Sequence, residues 1–187
     1  MAVDAGRIEA AVTELLLGIG DDPARPGLAD TPRRVAASYA EFFAGLGVDA
    51  AALLVGVPSD RTGELVAVRD LAFRSMCEHH LLPFTGMAHI AYEPGERIAG
   101  LGDLARALEA VASRPQLQER LGEQLAEAIA TGLSARGALV ILDAVHACVT
   151  TRGPRQTGSS TLTVAAVGSL AEPAARDRAL ALIGAGA

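Results

Sequence analysis

Tryptophan is absent from the 187-residue sequence, and Phe and Tyr together supply 3% of it. Stacked aromatic platforms of the kind that grip single-stranded bases are therefore excluded, and the core must be aliphatic. Positive charge is also in deficit. The 16 Lys and Arg residues face 22 Asp and Glu, giving a formal net charge of −6 and a pI near 5.2. No global field draws in nucleic acid, so an anionic ligand must meet a local group of arginines and helix N-termini. No apolar segment reaches about 18 residues, and the opening Met1-Ala2-Val3-Asp4-Ala5-Gly6-Arg7 lacks the basic, apolar and small-residue succession of a secretory leader. The expectation is a soluble, cytoplasmic protein with neither a membrane nor a nucleic-acid partner. Cysteine is scarce as well. Only Cys77 and Cys148 occur, and a disulfide between them would sit oddly in a reducing compartment, which leaves metal ligation as the more active reading.

Half of the residues are apolar, enough for one compact domain. Ile8, Val12, Leu15, Leu16 and Ile19 recur at helical spacing over 4–19, before Gly20-Asp21-Asp22-Pro23 breaks the pattern. Asp30-Thr31-Pro32 signals a second helix, with Thr31 as the capping hydroxyl, Val35, Tyr39, Phe42 and Phe43 on its buried face, and Gly45 and Gly47 at its end. Leu65–Phe73, bounded by Gly63, reads as a strand, and Phe84–Tyr92 as the next. Leu101, Leu104, Ala105, Leu108 and Val111 then mark a helix interrupted by Arg114-Pro115. Leu117, Leu121, Leu125, Ala128 and Ile129 mark another, closed by Gly132 and Gly137. Ala138–Val149 and Ser160–Val167 are strand-like, and the Ala/Gly-rich end after Pro173 is expected to fray. Strands paired through short connections, with two helices between the pairs, predict an α+β fold: an antiparallel sheet covered on one face by those helices.

Three of the four histidines and both cysteines fall in Cys77-Glu78-His79-His80 and His146-Ala147-Cys148. Zinc favours thiolate and imidazole, and a catalytic zinc keeps three protein ligands and an open fourth position. Cys77 and His80 have ligand-like spacing where a strand gives way to a turn, and Cys148 can arrive from the third strand. His146, two residues earlier, should point to the same face of that strand, with His79 as its counterpart. The alternative is a buried thiol pair with a structural zinc. Three good ligands without an obvious fourth, and two spare histidines able to titrate near neutral pH, favour catalysis. Fe(II) can also occupy mixed thiolate and imidazole sites, so ligand chemistry alone leaves the metal's identity open. His89, on an apolar strand, reads as a core or subunit-contact residue.

The string Ser75-Met76-Cys77-Glu78-His79-His80-Leu81-Leu82-Pro83-Phe84, followed by Gly86 and His89-Ile90-Ala91-Tyr92 with Pro94, resembles the GTP cyclohydrolase I family. The likeness extends through Asp30-Thr31-Pro32-Arg33-Arg34-Val35-Ala36, Arg114-Pro115-Gln116-Leu117-Gln118-Glu119-Arg120-Leu121, Ala144-Val145-His146-Ala147-Cys148, and Arg152-Gly153-Pro154-Arg155 with Ser160, Thr161 and Thr163. It covers roughly 15–170. The resemblance implies a tunnelling fold (T-fold) of ββααββ order, with an N-terminal helical region over 1–50 and a catalytic domain over 51–187. It also implies a toroidal homodecamer whose sites lie between subunits. Zinc held by Cys77, His80 and Cys148 would activate water for attack on C8 of GTP, releasing formate and leading to dihydroneopterin triphosphate. His79 and His146 would move protons, Gln118 and Glu119 would recognise guanine, and Arg106 and Arg152 would contact phosphate. Glu119 suits its role chemically, since one carboxylate can accept from both the N1–H and the exocyclic amine of guanine.

The pattern departs at the first covering helix, where the family's Gly-Leu-Ser-Lys is Gly100-Leu101-Gly102-Asp103. Asp103 suits a helix cap, but a cation has become an anion. A charge contact at about 4 Å is worth roughly 1 kcal/mol in water and about 4 at an effective dielectric of 20. A less phosphorylated or modified purine nucleotide is therefore an alternative substrate, and a non-catalytic, zinc-stabilised nucleotide-binding oligomer is another reading. Gly86-Met87 likewise replaces a common Gly-Lys.

Overall fold

The computed structural model describes residues 3–59 and 64–184; Gly63, expected to bound a strand, lies outside them. In chain order the elements are α1 (Ala5–Gly18), α2 (Thr31–Phe42), β1 (Val57–Pro58), β2 (Val66–Cys77), β3 (Pro83–Glu93), β4 (Arg97–Ile98), α3 (Leu101–Ala112), β5 (Pro115–Gln116), α4 (Gln118–Gly132), β6 (Gly137–His146), the single-turn α5 (Ala147–Thr150), β7 (Thr161–Gly168) and α6 (Pro173–Gly184). The main sheet runs β5-β2-β3-β6-β7 and is antiparallel except at β5, which adds two residues parallel to the end of β2. The fold is thus mixed α+β, as the element order predicts, with β1 and β4 forming a separate ribbon.

Helices α3 and α4 cover one face. Leu104, Leu108 and Val111 of α3 and Leu121, Leu125 and Ile129 of α4 are buried against Phe84, Ile90, Tyr92, Val140 and Leu142. Each such side chain contributes about 1.5–3 kcal/mol of transfer free energy. Leu101 and Ala105, expected on this stripe, are exposed instead, because they lie on the helix side turned away from the sheet.

The opposite face is not left bare, which corrects the one-sided layering expected. Ala91, Leu139 and Ile141 pack there with Leu170, Ala179 and Ile183. From Pro173 to Gly184 the chain is therefore helix α6 where fraying was expected, anchored by buried Ala179 and by a hydrogen bond from Arg69 Nη1 to Ile183 O at 3.0 Å; residues 185–187 of that expected end lie outside the described residues. With both faces of β6 packed, its uninterrupted apolar run is explained.

Strand β2 continues four residues past the expected Phe73. A bulge between Val68 and Leu71, with Asp70 at φ 58°, inserts one residue and resets the alternation. Val66 and Val68 before it, and Leu71, Phe73 and Cys77 after it, consequently all pack into the core beneath the helices. At the N-terminus Asp4 caps α1 by accepting from Arg7 N at 3.0 Å. Thr31 is the first residue of α2 rather than its cap; Asp30 occupies the capping position without a side-chain hydrogen bond to the helix backbone, its carboxylate facing Arg33 and Arg34 instead. Helices α1 and α2 pack together, yet of α1 only Leu16 is buried, while Leu15 and Ile19 are 62% and 70% exposed.

Candidate metal and nucleotide site

Cys77 is the last residue of β2, and the chain reverses around it. Its carbonyl accepts from His80 N (3.3 Å) and Leu81 N (2.8 Å), its N–H donates to Leu82 O (2.9 Å), and Leu81 takes φ 51° to close the turn. This brings Cys77 Sγ within 4.0 Å of His80 Nδ1. Cys148 does not lie on a strand, contrary to expectation. β6 stops at His146, and one turn of helix carries Cys148 toward the other two residues, so convergence comes from a change of backbone direction and not from strand alternation. The ligand atoms of Cys77, His80 and Cys148 all lie within 4.8 Å of one another, and among the described residues no other His, Cys, Asp or Glu joins them.

The donor set fits a metal ion. Zn–S and Zn–N bonds of about 2.3 and 2.0 Å place tetrahedral ligand atoms roughly 3.5–3.8 Å apart, a modest contraction of the present spacing. Burial pushes the Cys148 thiol up, and the neighbouring Cys77 pushes it further, with Arg152 opposing both. Two adjacent thiols resist joint ionisation, and a bound dication would relieve that conflict.

His146 stacks on Phe84, with centroids 4.6 Å apart and planes 6° from parallel. Its Nε2 lies 2.7 Å from Gln118 Oε1. Burial lowers the affinity of His146 for a proton, and the Glu119 carboxylate partly restores it. His79 is exposed, its ring edge-on to that of His80 at 6.2 Å. Arg152 Nη1 is 3.1 Å from His80 Nε2. Gln118, only 2% exposed, has its amide donors committed to Leu142 O, Thr161 O and Thr163 Oγ1 at 2.9, 2.8 and 3.2 Å. Its side chain therefore faces inward, whereas Glu119 beside it is exposed.

One chain thus gathers Cys77, His80, Cys148, Arg152, His79, His146, Gln118 and Glu119, but not Arg106. Arg106 forms an ion pair with Asp103 near the start of α3, and just before that start Ala99 N donates to Tyr92 Oη at 2.8 Å, near the end of β3 far from Pro83. Met87 lies on the sheet face away from α3 and α4, and His89 Nδ1 accepts from Asp70 N at 3.3 Å, consistent with a structural role for His89. The sequence reading missed a brace behind the metal turn. Glu78 pairs with Arg120, Arg120 Nε donates to Gln116 Oε1 at 3.1 Å, and Gln116 O accepts from Glu78 N at 3.0 Å. Partners 42 residues apart give no local signal.

The family described as GTP cyclohydrolase I matches residues 8–184. The chain is 58% identical over 186 residues to GTP cyclohydrolase 1 of Leifsonia xyli, covering 98% of this chain and 97% of that one. The chain belongs to the GTP cyclohydrolase I family. Further relatives of the same name are those of Rhodopirellula baltica, 52% identical over 97% of this chain and 80% of the relative, and Bacillus subtilis, 49% identical over 92% of each. Every residue of the site described above falls within the region matching the GTP cyclohydrolase I family.

Proposed function

We propose that this protein opens the imidazole ring of GTP hydrolytically at C8, releases formate and recloses the product to 7,8-dihydroneopterin triphosphate. The observation that carries this reading is the convergence of Cys77, His80 and Cys148 within 4.8 Å beside His146 and Glu119, in a chain of this family. Those three residues would hold zinc, which when bound supplies the Lewis acidity that makes hydroxide available near neutral pH. Glu119 accepts from the guanine N1–H and exocyclic amine, which discriminates against adenine. The Gln118 side chain supports this from behind, and backbone N–H groups in the first turn of α4, which lack partners within the helix, would donate to the base. His146 and exposed His79 move protons to and from the opening ring. Arg152, beside His80, contacts phosphate.

The same reading takes the fold as a T-fold, divided into an N-terminal helical region (1–50) and a catalytic domain (51–187), in a cytoplasmic homodecamer. Leu54 is part of the main core, whereas α1 packs chiefly on α2. Three features support assembly. Arg106 lies away from the metal group, so a site using both Arg106 and Arg152 is completed by a second copy. β7 is an outer strand with Leu162 and Val164 66% and 48% exposed, and α1 leaves Leu15 and Ile19 uncovered.

One observation favours a second substrate class. The chain contains no lysine, and Arg106 is already paired with Asp103. A less phosphorylated purine nucleotide would forgo that contact. The deciding experiment follows formate and pterin fluorescence with zinc-loaded protein on GTP, GMP and guanosine, using Cys148→Ser as the control. Pterin from GTP by the unsubstituted protein, with Cys148→Ser losing both zinc and at least 100-fold in turnover, is the expected result. A clear preference for GMP would establish the second class, and metal loading without any turnover would leave a binding oligomer.

A further inference from the structure

Gln118 is wholly spent inside the protein. Its amide nitrogen lies 2.9 and 2.8 Å from the carbonyl oxygens of Leu142 and Thr161, which can only accept, so the NH2 group must be on that side. The amide cannot flip without setting oxygen against oxygen. Oε1 is therefore forced toward His146 Nε2, 2.7 Å away, and Oε1 can only accept. It follows that Nε2 carries a hydrogen. Phe84, parallel to the imidazole at 4.6 Å, fixes the ring plane from the side. Among the described residues no protein group hydrogen-bonds to Nδ1 of the same ring.

We propose that Gln118 is a positioning residue that locks neutral His146 as the Nε2–H tautomer, leaving Nδ1 as the ring's only proton-accepting atom. The Leu142 and Thr161 carbonyls orient the amide, the amide orients the imidazole, and the imidazole presents its lone pair in one direction. This rests on the assignment of His146 as a proton-transfer group, but it gives Gln118 a task distinct from contact with guanine. A side chain that only filled space would leave the imidazole free to exchange tautomers, and the Nδ1–H form would then present a hydrogen where a lone pair is required.

With only four histidines in the chain, solid-state 15N NMR of zinc-loaded, 15N-histidine-labelled protein resolves their ring nitrogens without any substrate. His146 is expected as a single tautomer, Nε2 protonated and Nδ1 bare, with His146→Gln providing the assignment. In Gln118→Met the His146 signals should spread between tautomers, and kcat for GTP should fall on the order of 10- to 100-fold, with KM changed by less than about threefold. Gln118→Asn, which keeps the amide but withdraws it by one methylene, replaces Gln118→Met if that variant does not assemble. A protonated Nδ1 in the unsubstituted protein overturns the proposal. So does an unchanged His146 spectrum in the variant, or a loss confined to KM, which would return Gln118 to guanine binding. Because the tautomer is read without turnover, an error here is distinguishable from an error in the assigned reaction.

Discussion

At the residue scale, the proposed function gives two carboxylates opposite parts in nucleotide selectivity. Glu119 is exposed and near enough to His146 to raise its proton affinity. Charge-assisted hydrogen bonds contribute about 1.5–3 kcal/mol, so Glu119→Gln is expected to weaken GTP binding roughly 10- to 150-fold, measured by isothermal titration with zinc-loaded protein. On the same reading Asp103 would work against a phosphate ligand, both through its own charge and through its ion pair with Arg106. Gly102 belongs to the same arrangement, since a Cβ there would lie 3.3 Å from Arg106 Nη1, where the guanidinium folds back toward Asp103. Asp103→Asn should lower KM for GTP about fivefold, the equivalent of roughly 1 kcal/mol, with the difference shrinking as salt is raised. An unchanged KM would place Asp103 outside the phosphate's reach. The candidate metal ligands were legible at this scale because cysteine and histidine are rare in this chain and chemically distinctive. Gln118 was legible only as a motif position, because what its amide touches depends on Leu142, Thr161 and Thr163, which come from other elements.

At the element scale, the chemistry depends on where strands end and how they register. The periodicity of α3 and α4 was visible in sequence because one face of each is packed and the other is not. The end of β6 was not, since Ala147, Cys148 and Val149 continue an apolar run that reads as strand while the backbone turns into α5. The bulge at Asp70 was also hidden, yet it decides which face Cys77 occupies, since without its extra residue everything after it would point away from the helices. Gly86 is fixed by a close approach. A Cβ at that position would lie 1.9 Å from Asp143 O and 2.7 Å from Ala144 Cα. Gly86→Ala should therefore force β3 and β6 apart beside Phe84 and His146, costing about 2–4 kcal/mol of stability, read as a lowered urea midpoint. Zinc content should drop with it, because Cys77 ends β2 and Cys148 follows the end of β6, the two strands that flank β3. A midpoint within experimental error of the unsubstituted protein would show that the strands can slide to accommodate the methyl.

At the scale of the whole molecule, one chain does not bring together the two arginines assigned to phosphate. Arg152 touches His80, whereas Arg106 sits on the first turns of α3, which begin by the far end of β3. If a neighbouring copy supplies Arg106, two defective variants should repair one another. Arg106→Ala and Cys148→Ser, each impaired alone, are expected to regain activity when unfolded and reassembled together, with about one quarter of the sites drawing both intact residues under random mixing. Activity that stays at the sum of the separate variants would mean that each chain completes its own site.

The sequence by itself determined the composition of the metal group, the α+β class, the helical and strand periodicities and the family, because each depends on residue identity or local spacing. Tertiary structure alone decided which face Cys77 occupies, how Cys148 leaves the strand to meet it, that α6 covers the second face of the sheet, and which way the Gln118 amide points. Those outcomes depend on groups distant in sequence competing for the same space and the same hydrogen bonds, and no local pattern records such a competition.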